Sequence, residues 1–357
     1  MKKLTVYQIL TLLLAVQILL VKFLSFFPNF IEQYYSNGIY QFISKLFRKF
    51  LGWVPFSVGD IYYFLLGIVI VIGCYQFFKD KFKNLKLHLF KLGAFLSVFY
   101  FLFHFLWGMN YYRNSLFVTM DMPLQDYSEE DIKTVTEKLL NKLVNKQLEI
   151  TENDSVKVTI PYSKKEILNR TKLGYDALTK TYPNYNYKSV SIKKSLYSVP
   201  LTYMGFAGYL NPLSGEAHID SLVPKVSLPI IASHEVAHQI GIASESEANF
   251  IGYLAAINNE DPYFNYSGYL TAFRYSVAAL YSKDSIASKQ IIEKIPKGII
   301  KNIEESQEFW SSYQNKMEPF FKLFYDGYLK ANQQDQGLKS YSNMVYYLVA
   351  YDKKYGL

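Results

Sequence analysis

Cysteine is nearly absent from this chain of 357 residues: Cys74 stands alone. An intrachain disulfide is therefore excluded, and so is any metal site built on a cluster of thiolates. Histidine is scarce too, at five residues. The glycines at 205 and 208 form no phosphate loop, because neither a following Lys-Ser/Thr nor a G-x-G-x-x-G spacing accompanies them. Internal repeats and low-complexity tracts are missing. Acidic residues are rare in one part only. Residues 1–108 hold 11 Lys/Arg against 3 Asp/Glu, whereas residues 109–357 hold 27 of each, so the net charge of +8 belongs wholly to the first segment. A nucleic-acid-binding domain would carry that basic excess on its own binding face. No nucleic-acid partner is expected.

What the chain does have is apolar and aromatic residues, at 50% and 18%, too many for a disordered polymer. Three long apolar runs come first, at residues 4–27, 58–78 and 85–107. Each has the length that crosses a hydrocarbon layer of roughly 30 Å at about 1.5 Å per residue. The expected organisation is a three-span transmembrane region over residues 1–108 and a soluble domain over residues 109–357, with the lipid bilayer as the first partner. A cleaved signal peptide is the rival reading of the first run, but no small-x-small site follows before Phe26, Phe27 and Pro28. Lys2 and Lys3 precede the first span, and Lys79, Lys81, Lys83 and Lys86 fill the link between the second and third. Positive-inside counting places both in the cytoplasm and the C-terminal domain outside it. Lys45, Arg48 and Lys49 oppose that count. Their segment also carries Phe42, Ile43, Leu46 and Phe50 at helical spacing, which suits a helix along the membrane surface with its cations at the headgroups.

Beyond residue 108 the texture becomes that of a folded, mostly helical domain. Ser128 with Asp131 and Ser163 with Glu166 have the spacing of capping boxes that open amphipathic helices. Residues 186–222 read instead as a small sheet or hairpin, with Val190, Ile192, Val199 and Leu201 in short alternating runs and a turn at residues 211–215. Helical spacing returns from Tyr263 to the end, broken near Lys283, Pro296 and Gly337.

Two of the five histidines stand four apart in His234-Glu235-Val236-Ala237-His238, the HExxH pattern. On a helix this spacing sets both imidazoles on one face, where they can share a zinc ion, with Glu235 beside the open position as general base. Ser227 and Pro229 suit the start of that helix, and Gly241 suits its end. A catalytic zinc with two histidines needs a third protein ligand. Glu245 and Glu247 are the candidates. Ser244 and Glu247 have capping-box spacing, which would occupy Glu247 with backbone and leave Glu245 for the metal. Asn249, one turn beyond Glu245, is placed to orient a ligating histidine or to stand as a solvated amide. Residues 203–219 offer an edge strand on which an extended peptide can lie. Within them His218 reads more readily as a surface strand residue than as a ligand. Arg274 is a candidate donor to a developing oxyanion, with a structural ion pair as the plainer reading.

HExxHxxG followed by ExEAN resembles the gluzincin metallopeptidases, in which two histidines and a downstream glutamate bind zinc. That likeness implies a zincin-like α+β fold, His234, His238 and Glu245 as ligands, and Glu235 as base. One departure is the short return: Glu245 lies only seven residues after His238, where gluzincins place the third ligand much farther on. The metzincin spacing, six residues after, would fall on Ser244. More broadly, the three apolar runs, the stretch Asn-Pro-Leu-Ser-Gly-Glu at residues 211–216, residues 234–249 and the Ser340-Tyr341 region resemble domain of unknown function 3810, a family of bacterial membrane proteins. The expected function is a zinc-dependent hydrolase anchored in the bacterial cytoplasmic membrane, a metallopeptidase acting on peptide or protein substrates. The alternative from another class is a non-catalytic envelope protein with a structural metal or a partner-binding role.

Overall fold

The computed structural model describes residues 3–124, 126–334, 337 and 343–357. Lys2, Ser340 and Tyr341 lie outside the described residues. Internal packing divides the chain into two units. One comprises Met1–Asn114 with Asn211–Glu216, and the other Ser115–Leu210 with Ala217–Leu357.

The first unit holds three helices long and apolar enough to cross a membrane: α1 (Val6–Leu24), α4 (Val58–Lys79) and α5 (Leu85–Leu106). Thr5 and Gln8 close a capping box at the head of α1, and Ser57 accepts the Asp60 N–H at the head of α4. α1 packs along α5, with the Thr11 hydroxyl donating to the Phe90 carbonyl at 3.0 Å. Their remaining surfaces expose row upon row of Leu, Ile, Val and Phe. Such surfaces suit lipid rather than water. Between α1 and α4 a short helix α2 (Pro28–Phe30) runs through a π-helical stretch at Ile31–Ile39 into α3 (Tyr40–Leu51). The α3 helix was expected; the placing of Arg48 at the headgroups was not met. Arg48 is buried, its Nε donating to the Ser44 carbonyl at 3.3 Å.

The turn foreseen at residues 211–215 belongs to this unit. The Asn211 side chain accepts the N–H groups of Leu213 and Ser214 at 2.9 and 3.1 Å, which fixes the turn. Glu216 accepts the Gly59 N–H at 2.7 Å, and the Asn211 amide donates to the Gly59 carbonyl at 3.0 Å. Gly59 lies in the first turn of α4, where free N–H groups favour a carboxylate.

The second unit is mainly helical. It runs α6 (Leu116–Thr119), α7 (Glu129–Thr151), α8 (Lys164–Thr181), β1 (Ile192–Lys194), α9 (Ser198–Met204), β2 (Gly208–Leu210), β3 (Ala217–Ile219), α10 (Leu228–Gln239) and α11 (Glu245–Ile257). Then follow α12 (Pro262–Lys283), α13 (Ser285–Ile292), α14 (Lys297–Ser312), α15 (Glu318–Ala331) and α16 (Met344–Tyr355). Ser128 and Asp131 form the expected capping box on α7, while Ser163 caps α8 but Glu166 turns away to Arg170. Val199 and Leu201, read as strand residues, lie in α9 instead. Pro200 in the opening turn and Gly205 at φ +80° just past the end explain the short helix. The chain also breaks after Ser312, where Asn315 accepts the N–H groups of Met317 and Glu318.

The three strands make one sheet in the order β1-β3-β2, with β1 parallel and β2 antiparallel to β3. β2 is therefore an edge. α10 and α11 are buried on nearly every side, as helices apolar all round must be, and pack on each other and on α8 and α12. Gly252 makes the close approach possible: a Cβ there would stand 2.8 Å from the His234 nitrogen.

Candidate metal centre

The site is assembled at the C-terminal end of α10. Gly241, at φ +100°, ends that helix in a Schellman turn, with the Ile242 N–H returning to the Ala237 carbonyl and the Gly241 N–H to the His238 carbonyl, both at 3.0 Å. The turn also delivers the Ile242 carbonyl to His238 Nδ1 at 2.7 Å. That contact orients the ring and directs Nε2 inward. At the head of α10 the expected cap is absent. Ser227 belongs to a 3₁₀ turn that leads straight into the helix, so its hydroxyl caps nothing, while Pro229 does occupy the first turn.

The chain then returns in time for Glu245. Its Oε2 lies 3.2 Å from His234 Nε2 and 3.4 Å from His238 Nε2, and the three donor atoms all fall within 4.8 Å of one another. Two ligand atoms each about 2.05 Å from a tetrahedral zinc lie about 3.3 Å apart. Both contacts of Glu245 match that spacing. Glu245 Oε2 accepts no well-formed hydrogen bond, although it is buried, so a bound cation would satisfy it. Its other oxygen, Oε1, accepts from the Tyr325 hydroxyl at 2.7 Å, and the Glu245 N–H donates to Gln334 Oε1 at 3.1 Å. The donor set, its spacing and the unsatisfied oxygen fit a zinc ion.

Glu247 does not join this group. It accepts the Leu116 N–H at 2.8 Å and the Tyr347 hydroxyl at 3.0 Å, tying α11 to α6 and α16. The capping box expected of Ser244 and Glu247 is not formed, and the Ser244 hydroxyl meets Ser246 instead. The side chain of Asn249 lies beside both the His234 ring and the Tyr275 hydroxyl. His218, expected at the surface, is fully buried, stacked on Tyr209 with ring centroids 4.6 Å apart. Arg274 is exposed and forms no ion pair among the described residues. Its neighbour Tyr275 turns inward, where burial and then the Glu245 carboxylate raise its hydroxyl pKa.

Glu235 is buried, and its Oε2 has no hydrogen-bond partner among the described residues. Burial pushes its carboxyl up to about 8, with Glu245 adding to the rise and His238 opposing it. Burial pulls the His238 ring down, but Glu245 and then Glu235 outweigh it and lift the ring to about 9. Burial acts to raise Glu245, yet His238 and His234 hold it well below the usual carboxylate range. His234 is lowered, chiefly by burial. The edge strand β2 passes directly over Glu235: a Cβ at Gly208 would stand 2.7 Å from Glu235 Oε1. Only a glycine permits that approach. Tyr325, Gln334, Tyr275 and Gly208 were not foreseen as parts of the site. Tyr325 is one of 33 tyrosines and lies 80 positions from Glu245, so no local pattern marks it.

Fold and site together define a mainly helical protein with three helices able to cross a membrane and a buried His-His-Glu group able to hold a metal ion. The chain belongs to the family described as protein of unknown function DUF3810, whose model matches residues 35–349. No curated protein and no solved structure matches it.

Proposed function

We propose that this protein is a zinc-dependent hydrolase anchored in the membrane by α1, α4 and α5, with a zincin-like C-terminal domain acting as a metallopeptidase. The observation that carries the reading is the meeting of Glu245 with His234 and His238 at 3.2 and 3.4 Å, beside a buried Glu235. Three protein ligands among the described residues, rather than the four of a structural zinc, leave a coordination position for reaction. Zinc held by these residues supplies Lewis acidity to a water molecule and to a substrate carbonyl.

The protein's own groups do the rest. Glu235 takes a proton at its carboxylate from the attacking water and returns it to the leaving amine. β2, at the edge of the sheet, is the strand along which an extended peptide would lie, and Gly208 lets the backbone come close to Glu235. Tyr325 and Gln334 fix Glu245, and the Ile242 carbonyl fixes His238.

Glu235→Gln should keep one zinc per chain while peptide hydrolysis falls roughly 10²- to 10⁴-fold. Zinc retained by the wild-type protein with unfolded casein and peptide libraries left uncut would sink the reading. Lys79, Lys81, Lys83 and Lys86 support an extracytoplasmic C-terminal domain on a bacterial cytoplasmic membrane. Protease added to right-side-out vesicles should then remove a C-terminal tag, and protection until the membrane is permeabilised would contradict that orientation.

A further inference from the structure

Helix α15 carries apolar residues on two opposite faces, which a helix exposed to water does not need. Its inner face presents Tyr325 to Glu245 and buries Leu329. Its outer face carries Phe320, Leu323 and Phe324, exposed by 60%, 71% and 74%, and Met317 precedes them at 55%. The α9 helix continues this surface. It packs on α15, the Asn315 amide donates to the Tyr203 carbonyl at 2.6 Å, and Val199 and Tyr203 are themselves exposed. Among the described residues nothing covers these side chains. Lys322 and Lys330 border the outer stripe, each reaching an acidic residue one turn earlier on its helix.

We propose that the outer face of α15 and the exposed face of α9 seat in the boundary between lipid headgroups and acyl chains. Two features favour lipid as the occupant. A chain held at a bilayer by its own apolar helices meets lipid at a far higher effective concentration than any dissolved partner. A stripe of exposed aromatic and aliphatic side chains, on a helix whose two lysines are each balanced by a carboxylate, is also what an interfacial helix presents to the acyl chains. The consequence concerns the metal centre. α15 bears the hydroxyl that fixes Glu245, Phe206 at the end of α9 packs on Tyr325 with ring centroids 5.0 Å apart, and β2 follows within a few residues. Seating these helices in lipid sets the substrate edge at the membrane surface.

The test uses the full chain in lipid nanodiscs, with Cys74→Ser as background and a nitroxide attached at Leu323→Cys or, separately, at Phe324→Cys. Collision with oxygen should exceed collision with a water-soluble nickel chelate several-fold at both positions, and a nitroxide at Glu304→Cys on α14 should show the reverse. A water-like pattern at 323 and 324 overturns the proposal. Shielding from both reagents overturns it as well, because that pattern belongs to a second copy or another protein. The measurement needs no activity. Lipid-facing labels on a protein that cuts no peptide would leave this surface standing and remove the hydrolase reading, and water-facing labels on an active peptidase would do the opposite.

Discussion

At His238 the two ring nitrogens have separate tasks: Nδ1 meets the Ile242 carbonyl and Nε2 faces Glu245. Without metal the ring holds its proton up to about pH 9, above the ordinary value of 6.5, and Glu235 holds its own up to about 8. Both values are raised, so the stability these groups contribute is fully present only below their ordinary values, 4.5 for Glu235 and 6.5 for His238, and is lost as pH rises from there through about 8 and about 9. Metal binding runs the other way, because a ligating imidazole must give up its proton. Zinc titrated into the metal-free protein at pH 7 should therefore release at least one proton per ion, and affinity should climb roughly tenfold per pH unit until about pH 9. Calorimetry in two buffers of different ionisation heat reads the proton directly. No release would mean that His238 is not the ligand described. At this scale much of the site was legible, since an i, i+4 histidine pair and a glycine stop are local patterns. The choice of Glu245 over Glu247 also pointed to the group that the structure brings to the histidines, but on a capping box that does not form. What removes Glu247 is Leu116 and Tyr347, both far off in sequence.

At the scale of elements the site depends on how closely α10 and α11 approach. Gly252 faces the His234 backbone with no room for a Cβ, so Gly252→Ala must push the helices apart or twist them. Overpacking of this kind costs about 1–3 kcal/mol. The variant should melt at lower temperature and bind zinc more weakly, since His234 and Glu245 sit on the two displaced helices. Unchanged melting and unchanged affinity would show that the contact does not position the site. Helix α7 was legible because Ser128 and Asp131 announce it and its apolar positions recur at helical spacing. α9 was not, because Val199 and Leu201 in a short apolar run satisfy a strand pattern as well as a helix. A seven-residue helix offers too few turns to separate the two. His218 misled for a related reason: strand alternation says which residues share a face but not which face is covered.

At the scale of the whole molecule, the three apolar helices were plain in the sequence because bilayer thickness sets their length. The grouping of Asn211–Glu216 with the first unit was not, since it rests on hydrogen bonds to Gly59, more than 150 positions away. The claim on which function turns is narrower: two histidines of α10 and the first glutamate of α11 hold one zinc ion. X-ray absorption at the zinc edge of the purified full-length protein tests it most directly. About one zinc per chain is predicted, with two imidazole nitrogens and carboxylate oxygen near 2.0–2.2 Å, and its loss in His234→Ala and Glu245→Ala. A wild-type protein free of metal after zinc loading, or zinc bound undiminished in both variants, would contradict it.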